Sequence, residues 1–135
     1  MLPAVALDLS MAYDVWPASV RRAAGTFSLV VCSNTLHITP WECSLGLLRG
    51  AAALLAPGGH LVIYGPFKVD GVYVGSDGGA GNAKFDAKLR ETNSRWGFRD
   101  VGELSRVASP LGLTLCRKAD MPANNLTLAF VKCAV

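Results

Sequence analysis

Several familiar catalytic and metal-binding patterns are absent from this sequence of 135 residues. It has no GxSxG, HExxH or GxxxxGK[ST] motif, so nothing supports a serine hydrolase elbow, a zinc protease helix or a phosphate-binding P-loop. It has two histidines and four cysteines without CxxC spacing, so we expect no metal site. We expect the cysteines to be buried free thiols in a reducing compartment, these being Cys32, Cys43, Cys116 and Cys133.

Long hydrophobic runs and a strong charge of either sign are also absent. The most apolar stretch, residues 45–56, is too short to span a bilayer and contains Arg49. No basic segment followed by an apolar core begins the sequence, which argues against a signal peptide. The net charge is +3 and the basic residues are scattered, so we expect neither a nucleic-acid nor a membrane partner. We therefore expect a cytoplasmic protein.

The sequence does contain the composition of one globular domain, with 51% hydrophobic and 17% charged residues. Its most informative stretch is FSLVVCSNTLHITPWE, residues 27–42. The stretch begins as an apolar run typical of a buried strand and becomes polar from Ser33 onward. Thr39 and Glu42, with Pro40 between them, form the pattern of a capping box at a helix start. Such a strand end is where open α/β sheets bind ligands.

The remaining pattern predicts an α/β domain. A helix is expected to follow to about residue 55, and a second strand over 61–64, which gives a parallel βαβ unit. Residues 4–9 have the pattern of a short buried strand that carries Asp8. Helices are predicted over 83–91 and from a capping box at Asp100 and Glu103. Strands over 113–118 and 126–132 must pair antiparallel because their link is short.

The glycine-rich segment 68–82 contains Gly79 and Gly81 ahead of a helix. A dinucleotide fingerprint would need a third glycine, and Lys84 holds that place. The segment also does not follow a buried strand, so we interpret it as a mobile surface loop or lid.

Polar residues collect at the expected strand ends. Ser33, Asn34 and His37 follow the first strand and Tyr64 ends the second, so parallel pairing would bring them together. Two of them have structural alternatives, since Asn34 could close a turn and His37 could be an ordinary buried histidine.

Further polar candidates come from later in the chain. Asn124 and Asn125 lie between the last two strands and could join the same rim, although they could also simply form the turn there. Arg99 and Arg90 could approach from loops, although Arg90 is also spaced to pair with Asp86 on one helix face.

Five segments together resemble one family, and they are AVALDLS, FSLVVCSNTLHITPWE, LLAPGGHLVIYGPF, NAKFDAKLRETNSRWGFRD and MPANNLTLAF. The chain resembles the methyltransferase-like 26 family, also called domain of unknown function 938. The resemblance implies a partial Rossmann-like class I methyltransferase sheet, mostly parallel with a C-terminal antiparallel strand pair, in one domain over 1–135. It also implies an N-terminally truncated chain that lacks the first βαβα segment, with its glycine-rich cofactor loop.

The resemblance implies S-adenosylmethionine as cofactor, provided that the missing N-terminal segment is supplied. Asp8 would lie near the adenine and Asn34 beside the methionine end. His37 and Tyr64 become the candidate catalytic residues. The candidate substrate-binding residues are Pro66, Phe67, Arg90, Arg99, Asn124 and Asn125.

Two functions remain open from the sequence. One is methyl transfer to an unknown small-molecule or protein acceptor, in which positioning supplies much of the acceleration. The other is a non-catalytic binding module that pairs through an open sheet edge, because the absent strands would leave an apolar strand uncovered.

Overall fold

A computed structural model describes residues 2–134. Its helices are α1 (Ala18–Arg21), α2 (Trp41–Leu54), α3 (Ala80–Thr92) and α4 (Val101–Ala108). Its strands are β1 (Phe27–Ser33), β2 (Leu55–Gly65), β3 (Phe67–Val69), β4 (Val72–Tyr73), β5 (Arg99–Asp100), β6 (Leu113–Asp120) and β7 (Leu126–Lys132). Short 3₁₀ turns occur at Tyr13–Val15, Leu36–Ile38, Ser109–Leu111 and Pro122–Asn124.

The main sheet has four strands in the order β1-β2-β7-β6. β1 pairs parallel with β2, while β7 pairs antiparallel with both β2 and β6. Three strands therefore run in one direction and β7 runs against them, which confirms the predicted α/β sheet and its antiparallel C-terminal pair. A second, three-stranded sheet has the order β4-β3-β5.

α2 connects the two parallel strands, as the βαβ pattern predicted. Its buried residues include Leu47, Leu48 and Ala51, which join Leu61 and Ile63 of β2 in the hydrophobic core. Pro57, Gly58 and Gly59, which lie between the predicted helix and the predicted strand, fall inside β2 at a bulge, because Phe27 pairs with Leu55 whereas Leu29 pairs with His60. The residues of β2 between these two pairings are therefore accommodated outside the regular ladder.

β1 lies at the edge of the sheet, and its predicted burial is wrong. Phe27, Leu29 and Val31 are 40%, 52% and 60% exposed, whereas Val30 and Cys32 pack against the core. No strand within residues 2–134 pairs with the outer side of β1. An apolar strand with one unpaired edge results, as the resemblance implied.

The strand predicted over residues 4–9 is also wrong. These residues have no regular structure, and residues 4–8 are exposed. The apolar pattern AVALDL is not sufficient, because a strand needs a hydrogen-bonding neighbour and the described sheet provides none beside this segment. The chain packs instead on α2 from Leu9 onward, where a Cβ on Gly50 would lie 1.9 Å from the Trp16 ring.

The two predicted capping boxes differ in outcome. The Asp100 side chain accepts a hydrogen bond from the Glu103 backbone N–H at 3.2 Å, which confirms the cap of α4. The Thr39 side chain does not cap α2, and its hydroxyl instead donates to the backbone carbonyl of Thr35 at 3.0 Å. Local carbonyls compete for threonine hydroxyls in this way.

The segment 68–82 is more regular than the expected mobile loop. β3 and β4 form a hairpin whose turn residues, Asp70 and Gly71, both have positive φ, as an Asp-Gly hairpin turn requires. The Asp77 carboxylate then accepts hydrogen bonds from the N–H groups of Gly79 and Gly81, at 3.0 and 2.8 Å. α3 consequently begins at Ala80, three residues before the predicted start.

The cysteines are free thiols with different exposures. Cys43 is buried and Cys32 is half-buried, but Cys116 and Cys133 are exposed, so burial was wrongly predicted for those two. Cys116 lies at the register shift of β6, and Cys133 lies beyond the end of β7. Neither position faces the core.

Two absences concern the described residues. No helix in the part of the chain that the structure describes is long and apolar enough to cross a membrane. Within the same residues, no three His, Cys, Asp or Glu side chains are grouped as metal ligands would be.

Candidate functional site at the strand ends

The carboxyl ends of β1 and β2 meet as the sequence predicted. Asn34 follows β1 directly and has a φ of 51°, a left-handed conformation that asparagine tolerates. Its backbone N–H donates to the carbonyl of Tyr64 at 2.8 Å, which continues the pairing of Ser33 with Tyr64. The turn explanation for Asn34 is therefore correct, and its side chain stays exposed.

Asn34 and His37 are brought together at Gly65. A Cβ on Gly65 would lie 3.8 Å from Asn34 Oδ1 and 3.7 Å from His37 Nδ1. Because glycine has no side chain, this position stays open between an amide oxygen and an imidazole nitrogen. A small polar group could contact both atoms there.

His37 is only 8% exposed and lies among aromatic rings. Phe85 and Phe98 contact it edge to face, with ring centroids at 5.9 and 6.5 Å. Burial, followed by the positive charge of Arg99, lowers the pKa of His37 below its ordinary value of 6.5. The imidazole is therefore neutral at pH 7, so one ring nitrogen has a lone pair that can accept a proton.

Tyr64 and Asn125 are also in contact. The Asn125 side-chain amide donates to the Tyr64 hydroxyl at 3.2 Å and to the Pro122 carbonyl at 3.3 Å. This contact connects the β6–β7 link to the end of β2, as predicted for the rim. A cleft of about 600 Å³ opens beside this link, lined by residues 74–76 and 120–126.

Asp86 forms a hydrogen-bonded group that sequence reasoning recognised only in part. Its carboxylate is fully buried and pairs with Arg90 at 3.2 Å, which confirms the predicted ion pair. It also accepts from the Tyr73 hydroxyl at 2.5 Å and from the Phe98 N–H at 2.9 Å. Burial raises the pKa of Asp86, but these hydrogen bonds and the Arg90 charge outweigh it, so the pKa lies below 3.8.

The two arginines predicted to bind substrate make contacts within the chain, although the Arg90 side chain is 49% exposed. Arg90 pairs with Asp86, and its guanidinium covers Gly97, where a Cβ would lie 2.7 Å away. The Arg99 guanidinium donates to the carbonyls of Leu36, Thr39 and Arg95 at 3.2, 2.6 and 3.0 Å. Arg99 therefore holds the segment that carries His37, whereas Arg90 lies against Asp86 and Gly97. Contact of either arginine with a substrate stays a prediction.

The other predicted site residues lie apart from these contacts. Pro66 is buried, and Phe67 is 2% exposed within the hydrophobic core, so its ring has a packing role. Asp8 is exposed and accepts hydrogen bonds from the N–H and hydroxyl of Ser10. Those bonds lower the pKa of Asp8. The proposed roles of these three residues stay predictions.

Sequence reasoning missed Tyr73, Phe98 and Asn82. Asn82 is 5% exposed and donates to the carbonyls of Val74 and Asn124 at 2.9 and 3.1 Å. A buried asparagine on a helix indicates a structural hydrogen-bonding role, but the burial of Asn82 could not be known from the sequence alone.

Solved structures with a similar fold identify the class of fold. The chain is similar to an O-methyltransferase family protein from Burkholderia thailandensis, with a TM-score of 0.65 and 19% identity over 85% of this chain and 33% of that one. It is similar to TnmH, with a TM-score of 0.63 and 23% identity over 89% of this chain and 32% of that one. It is also similar to CalO1, a methyltransferase in calicheamicin biosynthesis solved in its SAH-bound form, with a TM-score of 0.63 and 16% identity over 83% of this chain and 32% of that one.

The fold is thus the α/β, Rossmann-like fold of class I methyltransferases. The chain belongs to the family described as "Protein of unknown function (DUF938)", whose model matches residues 2–132. It spans about a third of the length of each of these three solved chains.

Proposed function

We propose that this chain carries the methyl-acceptor side, and the methionine end of the cofactor site, of an S-adenosylmethionine-dependent methyltransferase of the methyltransferase-like 26 type. The observation that carries the proposal is the space left by Gly65, where a Cβ would lie within 4 Å of both Asn34 Oδ1 and His37 Nδ1. It lies at the carboxyl ends of two parallel strands, where open α/β sheets bind their ligands.

The residues present fit one end of the cofactor. Asn34 would accept a hydrogen bond from its methionine ammonium group, and the glycine leaves room for that group. S-adenosylmethionine supplies an electrophilic methyl group when bound. Asp8, predicted to lie near the adenine, is bonded to Ser10, so we propose that this chain alone binds the cofactor weakly through the methionine end, and that tight binding needs further polypeptide beside β1.

The remaining residues would orient the acceptor. Neutral His37 can accept a proton that the acceptor releases, and its edge-to-face contacts with Phe85 and Phe98 orient its ring. Tyr64, held by Asn125, can donate a hydrogen bond to an acceptor oxygen or nitrogen. Orientation of donor and acceptor is the main requirement of this chemistry.

The proposal is tested by titrating the folded chain with S-adenosylhomocysteine in a calorimeter. We expect measurable binding that Asn34→Ala weakens, whereas Asn93→Ala, an exposed asparagine after α3, leaves it unchanged. Equal binding by both variants, or none by the folded wild type, contradicts the proposal.

A second function, a non-catalytic binding module, is favoured by one observation. Leu29 and Val31 expose apolar side chains on an unpaired edge strand. Such an edge can accept a strand from another polypeptide. A module of this kind would bind its partner through β1, and this binding would not depend on Asn34 or His37.

A further inference from the structure

The cleft beside the β6–β7 link is built from two segments far apart in the sequence. Residues 74–76 form one wall and residues 120–126 form the other. Its volume of about 600 Å³ is within the range of small-molecule sites. A site of this kind needs walls that are held in place, and the side chains of two asparagines meet that need.

Asn124 and Asn82 connect the two walls. Asn124 Oδ1 accepts from the Ser76 N–H at 3.1 Å, and the buried Asn82 amide donates to both Val74 and Asn124 carbonyls. Gly75 allows this approach, because a Cβ there would lie 2.6 Å from the Asn124 side chain. The walls are therefore fixed by side-chain hydrogen bonds rather than by a strand ladder.

The link itself has an unusual backbone. Ala123 and Asn124 have φ values of 59° and 60°, so two consecutive residues other than glycine are left-handed. Such conformations persist where surrounding contacts impose them, and they cluster at ligand sites. The hydrogen bonds of Asn124 and Asn82 are contacts of this kind.

The lining has a definite chemistry. Val74, Met121 and Leu126 supply apolar surface. Asn125 also lines the cleft, and its amide donates a hydrogen bond to the Tyr64 hydroxyl. Among the described lining residues, Asp120 alone carries a charge, and no lysine or arginine lines the cleft. A carboxylate in a lining that contains no lysine or arginine disfavours anions and favours neutral or cationic groups.

We infer that this cleft binds the methyl acceptor, and that the acceptor is a small, mainly apolar organic molecule with a neutral or cationic polar group. The inference rests on the proposed function, because it assigns the acceptor class to that site. Asn124 is a positioning residue, since it acts by holding the wall at Ser76. Asp120 sets the charge preference.

The test uses nuclear magnetic resonance of the whole chain labelled at its methionine methyl groups. Phenol, benzylamine and sodium benzoate are added as neutral, cationic and anionic probes. We expect phenol and benzylamine to shift the Met121 methyl signal and to leave Met11, which does not line this cleft, unchanged. Benzoate should bind about fivefold more weakly than phenol, because repulsion by the Asp120 carboxylate makes its binding less favourable by about 1 kcal/mol.

Two variants separate the parts of the inference. Asp120→Asn should reduce the difference between phenol and benzoate to less than about twofold, whereas Asp14→Asn, on the exposed Tyr13–Val15 turn, should preserve it. Asn124→Gly keeps the left-handed backbone but removes the acceptor of the Ser76 hydrogen bond, and should weaken phenol binding about fivefold. Retained circular dichroism shows that both variants fold.

The outcomes distinguish this inference from the proposed function. Equal affinity of the three probes in the wild type, or no shift at Met121, overturns the inference even if S-adenosylhomocysteine binds. Probe binding at Met121 with the expected charge order, without binding of S-adenosylhomocysteine, supports a small-molecule cleft and overturns methyl transfer as its use.

Discussion

Tyr73 donates its hydroxyl hydrogen to the buried carboxylate of Asp86 at 2.5 Å. This bond joins the β3–β4 hairpin to α3, and the same carboxylate binds the Phe98 N–H. Phe98 contacts the ring of His37. A structural hydrogen bond thus supports the aromatic surroundings of the candidate proton acceptor.

Tyr73→Phe should lower the free energy of unfolding by about 1.5–3 kcal/mol, because it removes a hydrogen bond to a charged group. Urea denaturation followed by circular dichroism measures this change. Tyr13→Phe is the matched control, since within residues 2–134 the Tyr13 hydroxyl is buried without a partner. The control should be neutral or stabilising, and a larger loss for Tyr13→Phe than for Tyr73→Phe would contradict the account.

The same carboxylate predicts a loss of stability in acid. The pKa of Asp86 is lower in the folded chain than its ordinary value of 3.8, so the unfolded chain binds the proton more tightly. The stabilisation that ionised Asp86 provides is fully present above the pKa of this group in the unfolded chain. It is lost as the pH falls through the pKa of the same group in the folded chain. Unfolding measured from pH 7 to pH 3 should show a steeper decline for the wild type than for Asp86→Asn. Parallel curves would refute this role.

His37 should titrate below 6.5 in the folded protein. The midpoint can be read from the imidazole signals in ¹⁵N-labelled protein. Arg99→Gln should move it upward by removing a nearby positive charge, but the midpoint should remain below 6.5 because burial is the larger cause. Arg22→Gln, at the exposed end of α1, serves as the control. A wild-type midpoint at or above 6.5 would be inconsistent with a buried, neutral His37.

The apolar edge of β1 should promote self-association at high protein concentration. Val31→Lys should reduce it, because a lysine on an edge strand opposes pairing with another strand. Val72→Lys is the matched control, since Val72 is 61% exposed, close to the 60% of Val31, but lies in the other sheet. Sedimentation velocity over a concentration series measures the effect, and equal association of the two variants would exclude the β1 edge.

Local patterns predicted much of the fold. The apolar run before Ser33 and the strand ending at Tyr64 led to the parallel pair, and the short link before Leu126 led to the antiparallel pair. The Asp100 cap and the Asp86–Arg90 pair were found because both depend on residues three or four positions apart.

Interactions between distant segments could not be predicted in the same way. The pattern of residues 4–9 resembles a strand, but strand formation depends on a neighbour elsewhere in the chain. Asn82 reaches Asn124 across 42 residues, and Tyr73 reaches Asp86 across a helix start. In the site, the approach of Asn34 and His37 to Gly65 needed the pairing register of β1 and β2.

The most direct measurement of the central claim is the chemical shift of the Gly65 amide during titration with S-adenosylhomocysteine. The account predicts a saturable shift of Gly65 and of the Asn34 side-chain amide, with no change at Gly112, which lies between α4 and β6. Saturable binding without a shift at Gly65 or Asn34, or no binding by the folded chain at millimolar ligand, would contradict it.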